Sequence, residues 1–191
     1  MILSWSEARD LATAAVRHYA QQDVSELAQA LIEASAIGPK TILEIGSADG
    51  GSLYAWRGIA THVLAITVDE PEYSVDPHGA KVGTFDSHTE AARAWLAEQL
   101  DDEAIDVLFI DGDHTAAGVA ADYADYAPFV QPGGLIFIHD VVNVREPGVV
   151  AFWNALDEKG HVIKNDSQDW GPAGIGVVVK GALKLPGSSP G

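Results

Sequence analysis

Aspartate and histidine gather in two short stretches of this sequence, Asp111-Gly-Asp-His114 and His139-Asp140. Carboxylate oxygens suit a hard cation such as Mg²⁺, and imidazole nitrogens extend the range to Mn²⁺ and similar ions. An imidazole that titrates near neutrality also takes protons from hydroxyls, so His114 is a candidate general base. Asp113 is the alternative base, or the group that orients His114. A structural role is open for both stretches: Asp111 and Asp113 could cap a following helix, and His139-Asp140 could be a hydrogen-bonded pair closing a strand.

A second set of residues has the spacing of a nucleotide site. The run Ile42-Leu-Glu-Ile-Gly-Ser-Ala-Asp-Gly-Gly-Ser52 places Gly46 and Gly50 where a strand turns into a helix. Glycine lets the backbone turn tightly and approach a ligand with no Cβ in the way, and the helix that starts near Ser52 points its free N–H groups at that space. The pattern is neither the Gly-x-Gly-x-x-Gly dinucleotide fingerprint nor a P-loop, because no Gly-Lys-Ser/Thr follows. A nucleotide without a pyrophosphate fits better. The next apolar run ends in Ile66-Thr-Val-Asp69, where a carboxylate can accept from both hydroxyls of a ribose. Glu44, just before the turn, can meet the positive end of a zwitterionic ligand. The alternatives are an ordinary strand-to-helix turn and, for Asp69-Glu70, solvated loop charge.

These residues need a scaffold that brings strand ends together. Apolar positions Trp5, Ala8, Leu11, Ala12, Ala15, Val16 and Tyr19 recur at helical spacing, and a second helix begins at Asp23 with Glu26 as its capping-box partner and Gly38-Pro39 as its stop. Short apolar runs then predict strands over 41–45, 62–68, 82–85, 105–110 and 134–139, alternating with helices over 52–60, 89–100 and 116–130. A helix over 148–157 leads to late strands over 161–164 and 174–180. Such alternation implies a parallel sheet covered by helices on both faces, with ligands bound beyond the carboxyl ends of its strands. Phe152-Trp153 should pack on the sheet. Residues 71–81 read as a mobile loop, 185–191 as a disordered tail, and Trp170 as a wall for a substrate that stacks.

Composition narrows the classes. The 191 residues suit one domain over 1–184, with N-terminal helices over 1–38 and an α/β core over 41–180. Hydrophobic residues make up 47% and no apolar run reaches transmembrane length, while the first residues lack the basic and apolar regions of a signal peptide, so a soluble, cytoplasmic protein is expected. With no cysteine, disulfides, thiolate metal sites and cysteine nucleophiles are excluded. A formal charge of -17, from 28 acidic and 11 basic residues, repels phosphate backbones and anionic lipid, so neither nucleic acid nor a membrane is an expected partner.

Taken together, the motifs resemble class I S-adenosylmethionine-dependent methyltransferases. Leu43 to Ser52 is similar to motif I of that family, and Asp69 matches its ribose-binding acidic residue. Val107-Leu-Phe-Ile-Asp-Gly-Asp-His-Thr115 and Pro132-Gly-Gly-Leu-Ile-Phe-Ile-His-Asp140 resemble a narrower group. That group holds the cephalosporin hydroxylase-like and the macrolide and sugar O-methyltransferases, related to the catechol O-methyltransferase type. The resemblance spans roughly 41–180 and implies a Rossmann-like sheet of seven strands, six parallel and the last antiparallel. It further implies that Glu44, Gly46, Ser47, Gly50, Ser52, Asp69 and Asp111 contact S-adenosylmethionine, and that the loop of Asp86 and Ser87 edges its adenine. Ser87 with Glu90 also reads as a capping box. Carried over position by position, the metal ligands are Asp111, His139 and Asp140; His139 departs from the oxygen ligand usual there, which leaves Mg²⁺ or Mn²⁺ open. His114 falls where catechol-type relatives carry a lysine. The implied activity is metal-assisted methylation of a hydroxyl on a small metabolite or natural product. The alternatives are a metal-independent methyltransferase and a non-catalytic S-adenosylmethionine-binding protein. The acceptor pocket would be open, completed by the N-terminal helix, or built in a homo-oligomer.

Overall fold

A computed structural model describes residues 1–69, 79–164 and 173–181. The expected features at Glu70, most of 71–81, Trp170 and 185–191 lie outside the described residues.

Seven strands form one sheet: β1 Thr41–Ile45, β2 His62–Thr67, β3 Lys81–Thr84, β4 Ile105–Ile110, β5 Val130–Ile138, β6 His161–Ile163 and β7 Ile175–Val179. Their order is β3-β2-β1-β4-β5-β7-β6. β7 runs antiparallel to both β5 and β6, and the pairs among β1 to β5 are parallel, so the expected six-plus-one arrangement is met. β1 and β4 have the bounds read from the sequence, because a strand buried on both faces is a short apolar run closed by turn residues.

The alternation of side chains along each strand divides the core in two. Ile42, Ala65, Phe109, Phe137 and Val177 face one layer, built from α1 Trp5–Arg17, α2 Val24–Ala36 and α3 Gly51–Arg57. Leu43, Ile66, Ile110, Ile138 and Val178 face the other, built from α4 Glu90–Leu100, α5 Ala116–Tyr126 and α6 Pro147–Ala155. Trp153 is core, as expected, with the β7 backbone at Gly176 lying against its ring.

Two capping expectations are corrected. The capping box lies on α1, between Ser4 and Glu7. On α2, Asp23 caps as read, but Glu26 extends away from the helix start and accepts the Gly174 N–H at 2.8 Å, tying α2 to the entry of β7. Thr89, not Ser87, caps α4. Ser87 instead donates to Asp122 on α5 at 2.6 Å, a contact between distant parts of the chain that local spacing does not encode.

Candidate active site

The parallel ladders continue one residue past the strands: Asp111 N–H donates to Ile45 O at 2.8 Å, and His139 N–H donates to Ile110 O at 3.0 Å. Backbone pairing therefore holds Asp111 and His139 side by side at the carboxyl edge. Gly46 has φ +86°, and a Cβ there would lie 2.2 Å from the Asp111 carbonyl oxygen. A side chain at 46 would thus meet the Asp111-Gly112 backbone, while Gly46 itself also lines the cavity beyond the strand ends. Gly50, at φ +79°, makes the left-handed turn into α3. Gly51 lets Ala20 approach, since a Cβ at 51 would stand 2.1 Å from Ala20 N.

A cavity of about 690 Å³ opens between the ends of β1, β2 and β4, within the roughly 300–1,000 Å³ of small-molecule sites. Gly46, Asp69, Asp86, Ser87, Asp111 and Asp113 are among its lining. The 86–88 loop is pinned to α5: Ser87 Oγ bonds Asp122, and the Tyr126 hydroxyl donates to Ser87 O at 2.6 Å. Burial raises the Asp122 carboxyl above its ordinary pKa, against the hydrogen bond from Ser87.

A smaller space beside it, about 110 Å³, is lined by Gln22, Glu44, Ser47, Ser52 and Asp111 among others. Glu44 is fully buried, and Ser52 Oγ donates to its Oε1 at 2.5 Å. Burial pushes this carboxyl up to about 8, against the pull of the Ser52 hydroxyl. Ser47 is also buried, and its carbonyl accepts the Gly50 N–H.

The acidic and imidazole residues do converge. One ligand atom from each of Asp111, His139 and Asp140 lies within 4.8 Å of the others, so the three fit a single cation. His139 Nδ1 is 3.1 Å from Asp111 Oδ1 and 3.4 Å from Asp140 Oδ2. Asp140 takes φ +64°, unusual for a side chain with a Cβ; Asn143 Nδ2 donates to its Oδ1 at 2.7 Å. Burial pushes Asp111 up, but the two imidazoles more than reverse this and hold it at about 2. Burial likewise pulls His139 down, and Asp111 and Asp140 carry it well above its ordinary value. His114 is raised to about 9, first by its hydrogen bond to Asp111.

His114 Nε2 faces Asp111 at 3.3 Å, while its Nδ1 is 3.4 Å from Glu146. Asp113 is turned elsewhere: its Oδ1 accepts the Thr115 N–H at 2.8 Å, and it lines the first cavity rather than the second. That second cavity, about 670 Å³, is lined by Asp111, His114, His139, Asp140, Arg145 and Glu146 together with Val16, Gln22 and Val24 from the N-terminal helices and their connection. Sequence reasoning missed Gln22, whose Nε2 donates to Asp111 Oδ2 at 2.6 Å across 89 residues, and also Glu146 and Asp122.

This strand order, a glycine turn after β1, an acidic residue closing β2 and a cavity at the carboxyl edge define the class I S-adenosylmethionine-dependent methyltransferase fold. A family model described as a methyltransferase domain matches residues 43–141, just over half of the chain. The chain belongs to that methyltransferase-domain family. An uncharacterized protein of Sinorhizobium fredii is 24% identical over 140 residues; the match takes in 63% of this chain but only 15% of that longer protein. Among solved structures, an O-methyltransferase of Bacillus cereus in complex with S-adenosylhomocysteine aligns with TM-score 0.61 and 19% identity, covering 94% of this chain and 93% of that one. The methyltransferase MycE of the mycinamycin pathway, in complex with Mg, S-adenosylhomocysteine and mycinamycin VI, aligns with TM-score 0.67 and 16% identity. That alignment covers 95% of this chain and 56% of MycE. TomG of Streptomyces achromogenes, an O-methyltransferase in complex with S-adenosylmethionine, aligns with TM-score 0.60 and 16% identity over 92% of this chain and 90% of TomG. None of the helices formed by the described residues is long and apolar enough to cross a membrane.

Proposed function

We propose that this chain moves the methyl group of S-adenosylmethionine to a hydroxyl of a small acceptor, with a divalent cation held by Asp111, His139 and Asp140. One observation carries the reading: Asp111 lines both large cavities and also supplies the donor set between them. In the transfer the carbon–sulfur bond breaks as the carbon–oxygen bond forms, the sulfonium becomes a neutral sulfide, and the hydroxyl loses its proton. A bound cation would polarise that hydroxyl and stabilise the negative charge that develops on its oxygen. Asp69, exposed at the end of β2, accepts from the ribose hydroxyls, and the 86–88 loop borders the adenine. Glu44 faces the ammonium end of the donor. The proton leaves toward the His114–Glu146 pair in the wall of the second cavity.

Calorimetry with S-adenosylhomocysteine tests the donor site. Asp69→Ala should weaken binding by about 1.5–3 kcal/mol, the worth of a charged hydrogen bond, and so by roughly 10- to 150-fold. Unchanged affinity would remove Asp69 from the ribose site. The cation is tested by turnover in chelator: activity that survives complete removal of divalent ions would leave a metal-independent methyltransferase. Complexes of the similar structures with S-adenosylhomocysteine, S-adenosylmethionine and Mg support the cofactor and the cation, and a hydroxyl acceptor is supported by the Bacillus cereus protein and TomG being O-methyltransferases.

A further inference from the structure

We infer that the side chain of Gln22 binds the ammonium group of S-adenosylmethionine, so that one amide joins the donor's amino-acid end to Asp111. The inference rests on the donor reading above. It extends the donor site to the connection between α1 and α2, outside the 43–141 segment that the family model matches.

The space of about 110 Å³ beside the donor cavity is walled by polar side chains with hydrogen-bonding capacity to spare. Gln22 is 7% exposed, Ser47 4% and Glu44 0%. Gln22 Oε1 and Ser47 Oγ are buried without a hydrogen-bond partner, and both residues line this space. Glu44 adds a carboxyl whose Oε1 accepts from Ser52. Buried polar atoms are rarely left unpaired, so two in the wall of one small space point to a group that fills it.

The amide of Gln22 has its orientation set for it. Nε2 donates to Asp111 Oδ2 at 2.6 Å. A carboxylate only accepts, so the amide oxygen cannot take that place, and Oε1 is left as the open end. The backbone two residues earlier is held as well, because Ala20 packs on Gly51 where a Cβ would not fit.

The wall also selects its ligand. An amide oxygen, a hydroxyl and a carboxyl match an ammonium, which donates three hydrogen bonds and accepts none. An anion would meet these oxygens without a counter-charge: none of the described residues lining the space is lysine or arginine, and its one imidazole, His114, is directed at Asp111 and Glu146. The volume is roughly three or four times a water's share of the liquid, enough for an amino group and its carbon but not for a nucleoside. The rest of the donor has a continuous path, since Gly46, Ala48, Asp111 and Gly112 line both this space and the larger donor cavity.

Calorimetry tests this by comparing S-adenosylhomocysteine with its deaminated analogue, in which hydrogen replaces the amino group. The proteins are the parent, Gln22→Met and Ser47→Ala, with folding checked by far-ultraviolet circular dichroism. The parent should prefer S-adenosylhomocysteine. Gln22→Met keeps the volume and removes the amide. It should bind S-adenosylhomocysteine about 10- to 150-fold more weakly, the worth of a hydrogen bond to a charged group, and bind the analogue as the parent does. Ser47→Ala should narrow the parent's preference in the same sense. Equal weakening toward both ligands in Gln22→Met would mean that Gln22 acts only through Asp111, and no weakening would mean that water satisfies its oxygen. Either result overturns the inference and leaves the donor site standing, as does a parent that binds the two ligands equally. A parent that binds neither removes the donor reading itself. Should Gln22→Met not fold, the side-chain amide resonances of Gln22 in the isotope-labelled parent decide the matter: they should move with S-adenosylhomocysteine and not with the analogue, and identical movement with both overturns the inference.

Discussion

Glu44 is buried beside the Ser52 hydroxyl and near the Asp111 carboxylate, and burial above all pushes its pKa to about 8, so at neutral pH it is held mostly protonated. In the unfolded chain the same group ionises near 4.5. Between these two values the folded protein binds the extra proton, so stability from Glu44 is complete below about 4.5 and is lost as the pH rises toward 8. The loss is at most about 1.4 kcal/mol per pH unit. Glu44→Gln keeps an acceptor for Ser52 and removes the titration. Its thermal midpoint relative to the parent's should therefore climb steadily from pH 5 to pH 8; a constant difference would mean that Glu44 is ionised in the fold. The acidic residue before the glycine turn was legible in the sequence. Its neutrality was not, because it depends on α3 supplying Ser52 and on the apolar layer that β1 shares with Phe109 and Phe137.

Among the elements, the glycine pair that opens α3 fixes how closely the N-terminal helices approach the site. Gly50 supplies the left-handed turn, and Gly51 admits the backbone of Tyr19-Ala20, which leads directly to Gln22 and its bond to Asp111. Gly51→Ala drives a Cβ against backbone that cannot yield as a side chain would, so it should cost about 1–3 kcal/mol, roughly 2–12 °C in midpoint, and weaken S-adenosylhomocysteine binding as well. Gly133 is the comparison: its φ is +85° but the space around it is open. Gly133→Ala should cost about 1–2 kcal/mol of backbone strain and leave that binding intact. Equal effects of the two on binding would disconnect the 19–22 segment from the site. The sequence could not disclose this linkage. Gln21-Gln22-Asp23 reads as any polar connection between helices, and the partner of Gln22 lies 89 residues away. Strand ends were legible for the opposite reason: the Asp111 and His139 positions follow from two apolar runs and the parallel register that joins them. The antiparallel placement of β7 was carried by the family resemblance rather than by periodicity.

Over the whole molecule, 28 acidic against 11 basic residues produce a self-repulsion that any added electrolyte relieves, and this complicates every measurement of a cation site. The two effects separate by concentration and by locus. Screening acts on the full surface once the Debye length falls to about 8 Å, at physiological ionic strength, and it does not distinguish one carboxylate from the rest. Raising the concentration of a monovalent salt should thus lift the thermal midpoints of the parent and of Asp111→Asn by nearly equal amounts. A site that binds only the folded state adds a term that grows with the logarithm of ligand concentration, about 2.7 kcal/mol at a hundred times the dissociation constant. For a chain of this size that is roughly 5–10 °C. In a background of fixed, screening monovalent salt, Mn²⁺ at sub-millimolar concentration should produce this second rise in the parent and a much smaller one in Asp111→Asn, which loses a donor at the centre of the cluster. An equal rise in both proteins would assign the whole effect to the diffuse acidic surface and leave Asp111, His139 and Asp140 as a structural pairing of strand ends.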